Sequence, residues 1–222
     1  MVFTGHEFAE GGSFIANTLQ QQKVKASFFF TGKFYYEGDN DELIKLLAKN
    51  GNFLGSHSFD HLLYCDWNNR DSLLIGKEQF IFDLLNLNER LGHISDNAGD
   101  PPSLRKTLYY FLPPYEWYND TIAAWTKEFN KQLINYTPGT LSHADYTTTK
   151  DKNYRSSETI YNSIIDYEKA KPAGLNGFIL LMHIGAGPER TDKFYKKLPG
   201  LIKYLKQKGY HFQTVDQLLK TE

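Results

Sequence analysis

Two histidines four positions apart, His57 and His61, give the strongest chemical signal in this 222-residue sequence. Histidines at this spacing lie on one face of a helical turn, where both imidazoles can reach one metal ion. The alternative is a pair of ordinary surface or capping histidines, because this spacing also arises by chance. The pair follows Gly55 and Ser56 at the predicted end of a strand, which favours a metal site.

The dipeptide His6-Glu7 follows the predicted first strand and is a second candidate. A carboxylate or an imidazole at this position could complete a three-ligand site that leaves room for water and substrate. By itself such a dipeptide is more typical of a solvated loop, so only its place at a strand end argues for chemistry.

His183 follows the apolar run 177–182, and a polar ring at that point has two interpretations. It is either a core histidine with satisfied hydrogen bonds or a general acid that faces a substrate. Asp145 could orient this ring and raise its pKa, as carboxylates do behind other functional imidazoles. The competing interpretation of Asp145 is a turn-forming aspartate.

Composition is typical of a globular protein and excludes several function classes. Hydrophobic residues make up 41% and charged residues 23% of the sequence, and the net charge is -1. No basic patch indicates a nucleic-acid partner, and no apolar run reaches the roughly 20 residues that span a bilayer. The single cysteine, Cys65, rules out an internal disulfide. A strand that starts at Met1 is unusual, so we expect that a leader or an N-terminal segment is absent from this chain.

Short apolar runs alternate with amphipathic stretches, which favours repeated β–α units and a mainly parallel sheet. The predicted strands are 1–4, 25–30, 52–56, 108–112, 131–136, 177–182 and 210–214. The predicted helices are 13–22, 41–50, 73–91, 119–129, 157–170, 191–208 and 215–221, with loops at 95–103 and 137–156.

Six to eight such units close most easily into a distorted or incomplete (β/α) barrel. We expect one domain over residues 1–222, because the sequence has no repeat or linker. Reactive groups of barrels lie at the carboxyl ends of the strands. The candidates His6, His57, Tyr115 and His183 all fall at predicted strand ends.

Taken in chain order, these segments resemble the motifs of the polysaccharide deacetylases, which form carbohydrate esterase family four. The most specific segment, 50–61, is similar to the family's metal-binding motif, a lead with glycine into H-[ST]-x-x-H. The weaker matches are 25–30 to the second strand, 112–115 to the third motif, 137–146 to the fourth and 181–183 to the fifth.

This resemblance implies an enzyme that hydrolyses acetyl groups on glycans such as chitin oligomers, peptidoglycan or xylan. It implies that His57 and His61 bind Zn²⁺, with Co²⁺, Ni²⁺ or Mn²⁺ as alternatives, and that the metal polarises the acetyl carbonyl and activates water. The Tyr115 backbone N–H would stabilise the oxyanion. His183 would protonate the leaving group, oriented by Asp145.

The substrate side of the resemblance involves two further residues. Leu181 would line the pocket for the acetyl methyl group, and Trp117 would lie in the sugar-binding groove. The partner implied is an acetylated oligosaccharide or polysaccharide, and the location implied is outside the cytoplasm. The oligomeric state does not follow from the sequence.

The first motif departs from the family pattern. It normally reads Thr-Phe-Asp-Asp-Gly, with one aspartate as base and the next as metal ligand, and neither aspartate is present here. Our mapping makes His6 the base and Glu7 the third metal ligand. The reverse assignment stays open, and Glu10 is a third choice.

The third motif also departs from the family pattern. Its usual arginine, which pairs with the base, is replaced by Phe111 or Leu112. An imidazole base needs no such cation, so the two departures agree with a histidine base. Alternatively, the missing arginine could be replaced by one from elsewhere in the chain: Arg105, Arg155 or Arg190.

Two other functions remain open. A non-catalytic member of the same fold could bind glycan or metal without turnover, and a metal-dependent amidohydrolase could act on a small non-sugar substrate. An open groove lined by Trp67, Tyr115, Trp117 and Tyr118 would favour a glycan, and a closed pocket would favour a small molecule.

Overall fold

The computed structural model describes residues 1–36, 40–97 and 109–219. The chain divides into two compact units. Unit 1 consists of Met1–Ser27 with Tyr136–Glu222, and unit 2 consists of Phe28–Asn135. The predicted single domain over 1–222 is not tested by this division and stays a prediction.

The strands of unit 2 are β2 (Ser27–Phe30, which starts at the last residue of unit 1's first segment), β3 (Phe53–Ser56), β4 (Tyr110–Phe111) and β5 (Gln132–Leu133). They lie in the order β5-β4-β3-β2. Ser56 of β3 lies opposite Phe111 of β4 in a parallel pair, and Phe111 lies opposite Leu133 of β5 in another. The helices are α2 (Gly32–Tyr36), α3 (Asp41–Lys49), α4 (Lys77–Leu85), α5 (Asn88–Asn97) and α6 (Asp120–Glu128).

Unit 1 pairs its two strands in parallel, with Val2 opposite Leu181 and Thr4 opposite His183. The strands are β1 (Val2–Gly5) and β6 (Leu181–His183). The helices are α1 (Gly12–Gln21), α7 (Ser157–Ala170), α8 (Leu198–Gln207) and α9 (Val215–Leu218). Short 3₁₀ turns cover Ser142–Ala144 and Phe194–Lys197.

A core cluster of unit 2 includes residues of β4, α4 and α6. Its fully buried side chains pack aromatic rings against aliphatic groups. They are Tyr64, Cys65, Phe80, Leu84, Phe111 and Ile122.

Most predicted elements are present, and three predictions are wrong. The predicted helix 73–91 consists of α4 and α5, because α4 ends before Asn86, a residue that favours helix ends. The run 177–182 becomes a strand only at Leu181. Residues 210–214 form no strand, because Thr214 instead caps α9 through a capping box with Gln217.

Two further predictions concern loops and membrane spans. The predicted loop 95–103 is partly outside the described residues, and 95–97 belong to α5. Within the described part of the chain, no helix has the length and apolar character needed to cross a bilayer.

Candidate active site

His57 and His61 bring their imidazoles together in unit 2, although the segment between them is not helical. Their Nε2 atoms lie 3.3 Å apart, and their ring centroids lie 5.0 Å apart. Ser58 and His61 have φ angles of 71° and 55°, in the left-handed region, where an α-helix cannot continue. The predicted helical turn is therefore wrong, whereas the two rings do converge.

A buried carboxylate shapes this turn. Asp83 of α4 has no exposed surface. Its Oδ1 accepts the Asp60 N–H at 2.5 Å, its Oδ2 accepts the Tyr64 hydroxyl at 2.7 Å, and its backbone carbonyl accepts the Phe59 N–H at 2.9 Å. Burial raises the pKa of the Asp83 carboxyl, and these hydrogen bonds oppose that rise. Asp83 therefore fixes the backbone between the two histidines.

Gly32 closes the other side of the turn. Its N–H donates to the carbonyls of Ser58 and Phe59, at 3.1 Å and 2.9 Å. A Cβ atom at this position would lie 2.7 Å from the Phe59 carbonyl oxygen. Only glycine permits this close approach of the two backbones.

The tautomer of His57 suits metal binding. Its Nδ1 lies 2.8 Å from the Leu112 carbonyl oxygen. Because a carbonyl can only accept, Nδ1 carries the hydrogen and the Nε2 lone pair faces His61. Two Zn–N bonds of about 2.1 Å, with nitrogens separated by 3.3 Å, give an angle of about 105°, close to tetrahedral. The donor atoms therefore fit a divalent cation.

The third-motif turn places a carboxylate beside this pair. Tyr115 and Glu116 follow β4 and have φ angles of 58° and 53°. The ring of Tyr115 lies 4.5 Å from that of His61, and Glu116 Oε1 lies 3.9 Å from His57 Nε2. The sequence interpretation missed Glu116, although its position directly after Pro114-Tyr115 at a strand end was a usable signal.

Aromatic side chains flank the histidines of unit 2. Trp67 is 54% exposed, and its ring lies 5.5 Å from Tyr115 and 5.6 Å from Trp117. The Arg70 guanidinium lies 4.3 Å from the Trp117 ring, and the Trp117 indole N–H donates to the Asp66 carbonyl. Trp67 therefore offers more open ring surface than Trp117, which the sequence singled out.

His183 and Asp145 form a close pair in unit 1. His183 Nδ1 lies 2.7 Å from Asp145 Oδ1, and the His183 backbone N–H donates to Oδ2 at 2.9 Å. Asp145 is 4% exposed, and the Tyr146 ring lies 4.8 Å from the imidazole. Because the carboxylate holds Nδ1, Nε2 is the nitrogen that can exchange a proton with a substrate. This arrangement brings together two residues that the sequence proposed as partners.

The first-motif residues lie in a bend after β1. His6 is half-buried and Glu7 is exposed. Glu10 accepts hydrogen bonds from Lys193 Nζ and the Ala186 N–H. Burial raises the pKa of the Glu10 carboxyl, but these hydrogen bonds outweigh burial and leave the pKa below its usual value. Glu10 is thus engaged in an ion pair, which makes it a poor base.

The predicted cluster of His57, His61 and Glu7 takes its residues from both units and stays a prediction. Across residues 1–36, 40–97 and 109–219, no group of three or more His, Cys, Asp or Glu residues is arranged to hold a metal ion. Leu181 has no exposed surface, so it does not line an accessible pocket here. The roles of His6, Glu7 and Leu181 stay predictions.

The three candidate replacements for the missing arginine have different positions. Arg105 lies outside the described residues. Arg155 donates to the carbonyl of its neighbour Tyr154. Arg190 is buried, and its guanidinium donates to the carbonyls of Thr147, Arg155 and Asp192. Arg190 therefore supports backbone segments of unit 1.

Residues 13–134 match the family model for polysaccharide deacetylases. The chain is 28% identical to a peptidoglycan-N-acetylglucosamine deacetylase of Bacillus cereus over 209 residues, which are 93% of this chain and 80% of that protein. It is 25% identical to the peptidoglycan-N-acetylmuramic acid deacetylase PdaA of Bacillus subtilis over 92% of this chain, but spans only 65% of that relative. It spans 64% of a 30.6 kDa protein of Geobacillus stearothermophilus, at 26% identity.

Solved structures share the fold. A peptidoglycan N-acetylglucosamine deacetylase aligns with a TM-score of 0.72 and 19% identity, over 100% of this chain and 87% of that one. A pseudoenzyme of carbohydrate esterase family four from Bacillus anthracis aligns with a TM-score of 0.65 and 19% identity, over 99% and 65%. The predicted distorted (β/α) barrel is thereby confirmed.

Proposed function

The chain belongs to the polysaccharide deacetylase family, and we propose that it is a metal-dependent hydrolase that removes acetyl groups from a carbohydrate. The observation that carries this proposal is the convergence of two imidazole nitrogens, His57 Nε2 and His61 Nε2, at 3.3 Å. We propose Zn²⁺ as the cation, with Co²⁺, Ni²⁺ or Mn²⁺ as alternatives. A bound cation supplies polarisation of the acetyl carbonyl and a lowered pKa of water.

The residues of the chain have distinct proposed roles in this reaction. His183 donates a proton from Nε2 to the leaving amine or alkoxide, and Asp145 stabilises the imidazolium through Nδ1. The Tyr115 N–H stabilises the oxyanion. His6 as base and Glu7 as third ligand, or the reverse, follow from the sequence mapping alone.

We propose an acetylated glycan outside the cytoplasm as the substrate. The two Bacillus relatives are named for deacetylation of peptidoglycan sugars. Trp67 and Tyr115 present exposed aromatic rings beside the histidine pair, and aromatic faces pack well on the apolar faces of sugar rings. An open surface of this kind favours a glycan over a small amide.

The test measures metal content and acetate release on the same preparations. Protein purified without chelator should hold about one divalent cation and should release acetate from chitin oligomers, peptidoglycan or acetylated xylan. His57→Ala and His61→Ala should lose both properties. His93→Ala is the matched control, because this exposed histidine of unit 2, 3.8 Å from the exposed Glu89 carboxylate, has no proposed role in the site, and it should retain both.

A second candidate function is glycan or metal binding without turnover. The observation that favours it is the loss of both aspartates from the first motif, and one structural neighbour is a pseudoenzyme. Metal-loaded protein that binds an acetylated glycan but releases no acetate would establish this function. Acetate release only from small non-sugar amides would favour an amidohydrolase instead.

A further inference from the structure

We infer that Glu116 is the carboxylate ligand of the metal site, in the position that the sequence mapping gave to Glu7. This inference rests on the proposed function, because it concerns the cation assigned to His57 and His61. It places all three protein ligands in unit 2. Two histidines with one carboxylate form a common ligand set for divalent cations that retain open positions.

The distances support this ligand set. Glu116 Oε1 lies 3.9 Å from His57 Nε2. Tetrahedral ligands at about 2.1 Å from a cation are separated by about 3.4 Å. The separation between Glu116 and His57 is therefore about 0.5 Å longer than that between two ligands of one tetrahedral cation, and side-chain torsions of glutamate permit a movement of this size. Among the described residues, no group of three or more His, Cys, Asp or Glu side chains is already arranged to hold a metal ion, so the inferred ligand set requires such a movement.

Burial and electrostatics support the same assignment. The Glu116 side chain is 15% exposed and that of His57 is 4% exposed. A carboxylate with so little exposed surface is stabilised by contact with a metal cation. Glu7 is exposed, so water already stabilises its charge.

The backbone of Glu116 is held in an unfavourable conformation by its surroundings. Its φ of 53° follows the 58° of Tyr115, and each such residue costs about 1–2 kcal/mol relative to the right-handed region. The Glu116 N–H donates to the Pro113 carbonyl at 3.0 Å, and its carbonyl accepts from Asn135 Nδ2 at 2.9 Å. Glycine would adopt this φ without steric cost, so the turn itself does not require a glutamate.

The experiment titrates apo-protein with Zn²⁺ against a chromophoric chelator, and records the Co²⁺ absorption spectrum, which reports coordination geometry. Glu116→Gln should weaken Zn²⁺ affinity by at least about tenfold and change the Co²⁺ spectrum. Glu7→Gln tests the alternative carboxylate, and a loss of Zn²⁺ affinity in this variant but not in Glu116→Gln would overturn the inference. Glu128→Gln, a change at an exposed carboxylate of the same unit, is the matched control.

Glu116→Gly separates a ligand from a structural residue. Because glycine tolerates the positive φ, this variant should unfold at the same or a higher temperature than the parent, and yet lose metal affinity as Glu116→Gln does. Unchanged affinity in both Glu116 variants, with metal lost in His57→Ala, would overturn the inference and leave the proposed function intact. Metal retained in His57→Ala would reject the proposed function itself.

Discussion

The two units hold their histidines by different physical means. In unit 2, the pair His57 and His61 depends on a backbone turn with left-handed residues, anchored by the buried carboxylate of Asp83. In unit 1, His183 ends a regular strand and is oriented by the side chain of Asp145. The proposed metal site requires two converging rings and therefore an unusual backbone path, whereas the proposed general acid requires only the correct tautomer of one ring.

Each unit also contains a buried cation, and their surroundings differ. Arg190 of unit 1 is 1% exposed and donates to three backbone carbonyls. Lys131 of unit 2 is 7% exposed and donates to Asn88 Oδ1 at 2.9 Å. Burial lowers the pKa of Lys131 to about 8. Unit 2 thus contains a buried lysine whose charged form is disfavoured by burial.

The largest expected effect is on catalysis through unit 1. His183→Ala should lower kcat for acetate release by about 10²–10⁴, because a positioned general acid contributes that much. Metal content should stay unchanged. Kinetics and metal analysis on the same sample check this prediction, with the exposed His211→Ala as control. Loss of metal in His183→Ala would break the division of roles between the units.

Removal of Asp83 should have the next largest effect. Asp83→Ala removes the acceptor of the buried Tyr64 hydroxyl and of the partly buried Asp60 N–H, so the free energy of unfolding should fall by about 2–4 kcal/mol. Zn²⁺ affinity should fall as the histidine turn loosens. Urea unfolding measures the first effect, and the exposed Asp71→Ala should change it by less than about 0.5 kcal/mol. An Asp83→Ala protein with parental stability contradicts the anchoring role.

The buried ammonium of unit 2 predicts a pH dependence of stability. Lys131 has a folded-state pKa of about 8 against 10.5 in its ordinary state, so between these values the folded chain binds fewer protons than the unfolded chain. Its contribution to the free energy of unfolding therefore rises with pH, by about 1–3 kcal/mol from pH 8 to 10.5. Urea unfolding of the parent and of Lys131→Met should differ in slope over this window, and equal slopes would refute the prediction.

The smallest expected effect concerns the sugar. Trp67→Ala should raise KM for an acetylated oligosaccharide about 2–10-fold, because ring packing contributes about 0.5–1.5 kcal/mol. Values of kcat and thermal stability should not change, since Trp67 is 54% exposed. Steady-state kinetics with Tyr109→Ala, another exposed aromatic of unit 2, provide the comparison. An unchanged KM in Trp67→Ala would argue against a sugar contact at this side chain.

The elements that the sequence predicted well carry their own boundary signals. Helix α7 begins at Ser157 as predicted, because the Ser156 side chain accepts the Thr159 N–H and caps it. The predicted strand 210–214 failed because a cap at Thr214 competes with an extended run. Apolar character alone did not distinguish a strand from the segment that precedes a capped helix.

The residues of the candidate site also differ in how clearly the sequence marks them. Spacing identified His57 and His61, and chain order with the family motifs identified His183 with Asp145. Glu116 was not predicted, because its position depends on consecutive left-handed residues that no glycine marks. Asp83 was not predicted either, since its role depends on contacts with a loop more than twenty residues earlier in the chain.

The carbonyl of Leu112 links the number of residues at the end of β4 to the position of the hydrogen on His57. This oxygen, directly after β4, determines which nitrogen of His57 carries the hydrogen. Successive carbonyls along an extended chain point in opposite directions, so deletion of one residue there would turn the oxygen away and let the ring adopt its other tautomer. Deletion of one residue should thus weaken the proposed metal binding even though His57 and His61 are unchanged. Related chains that differ in length by one residue before Pro113 should therefore differ in metal affinity.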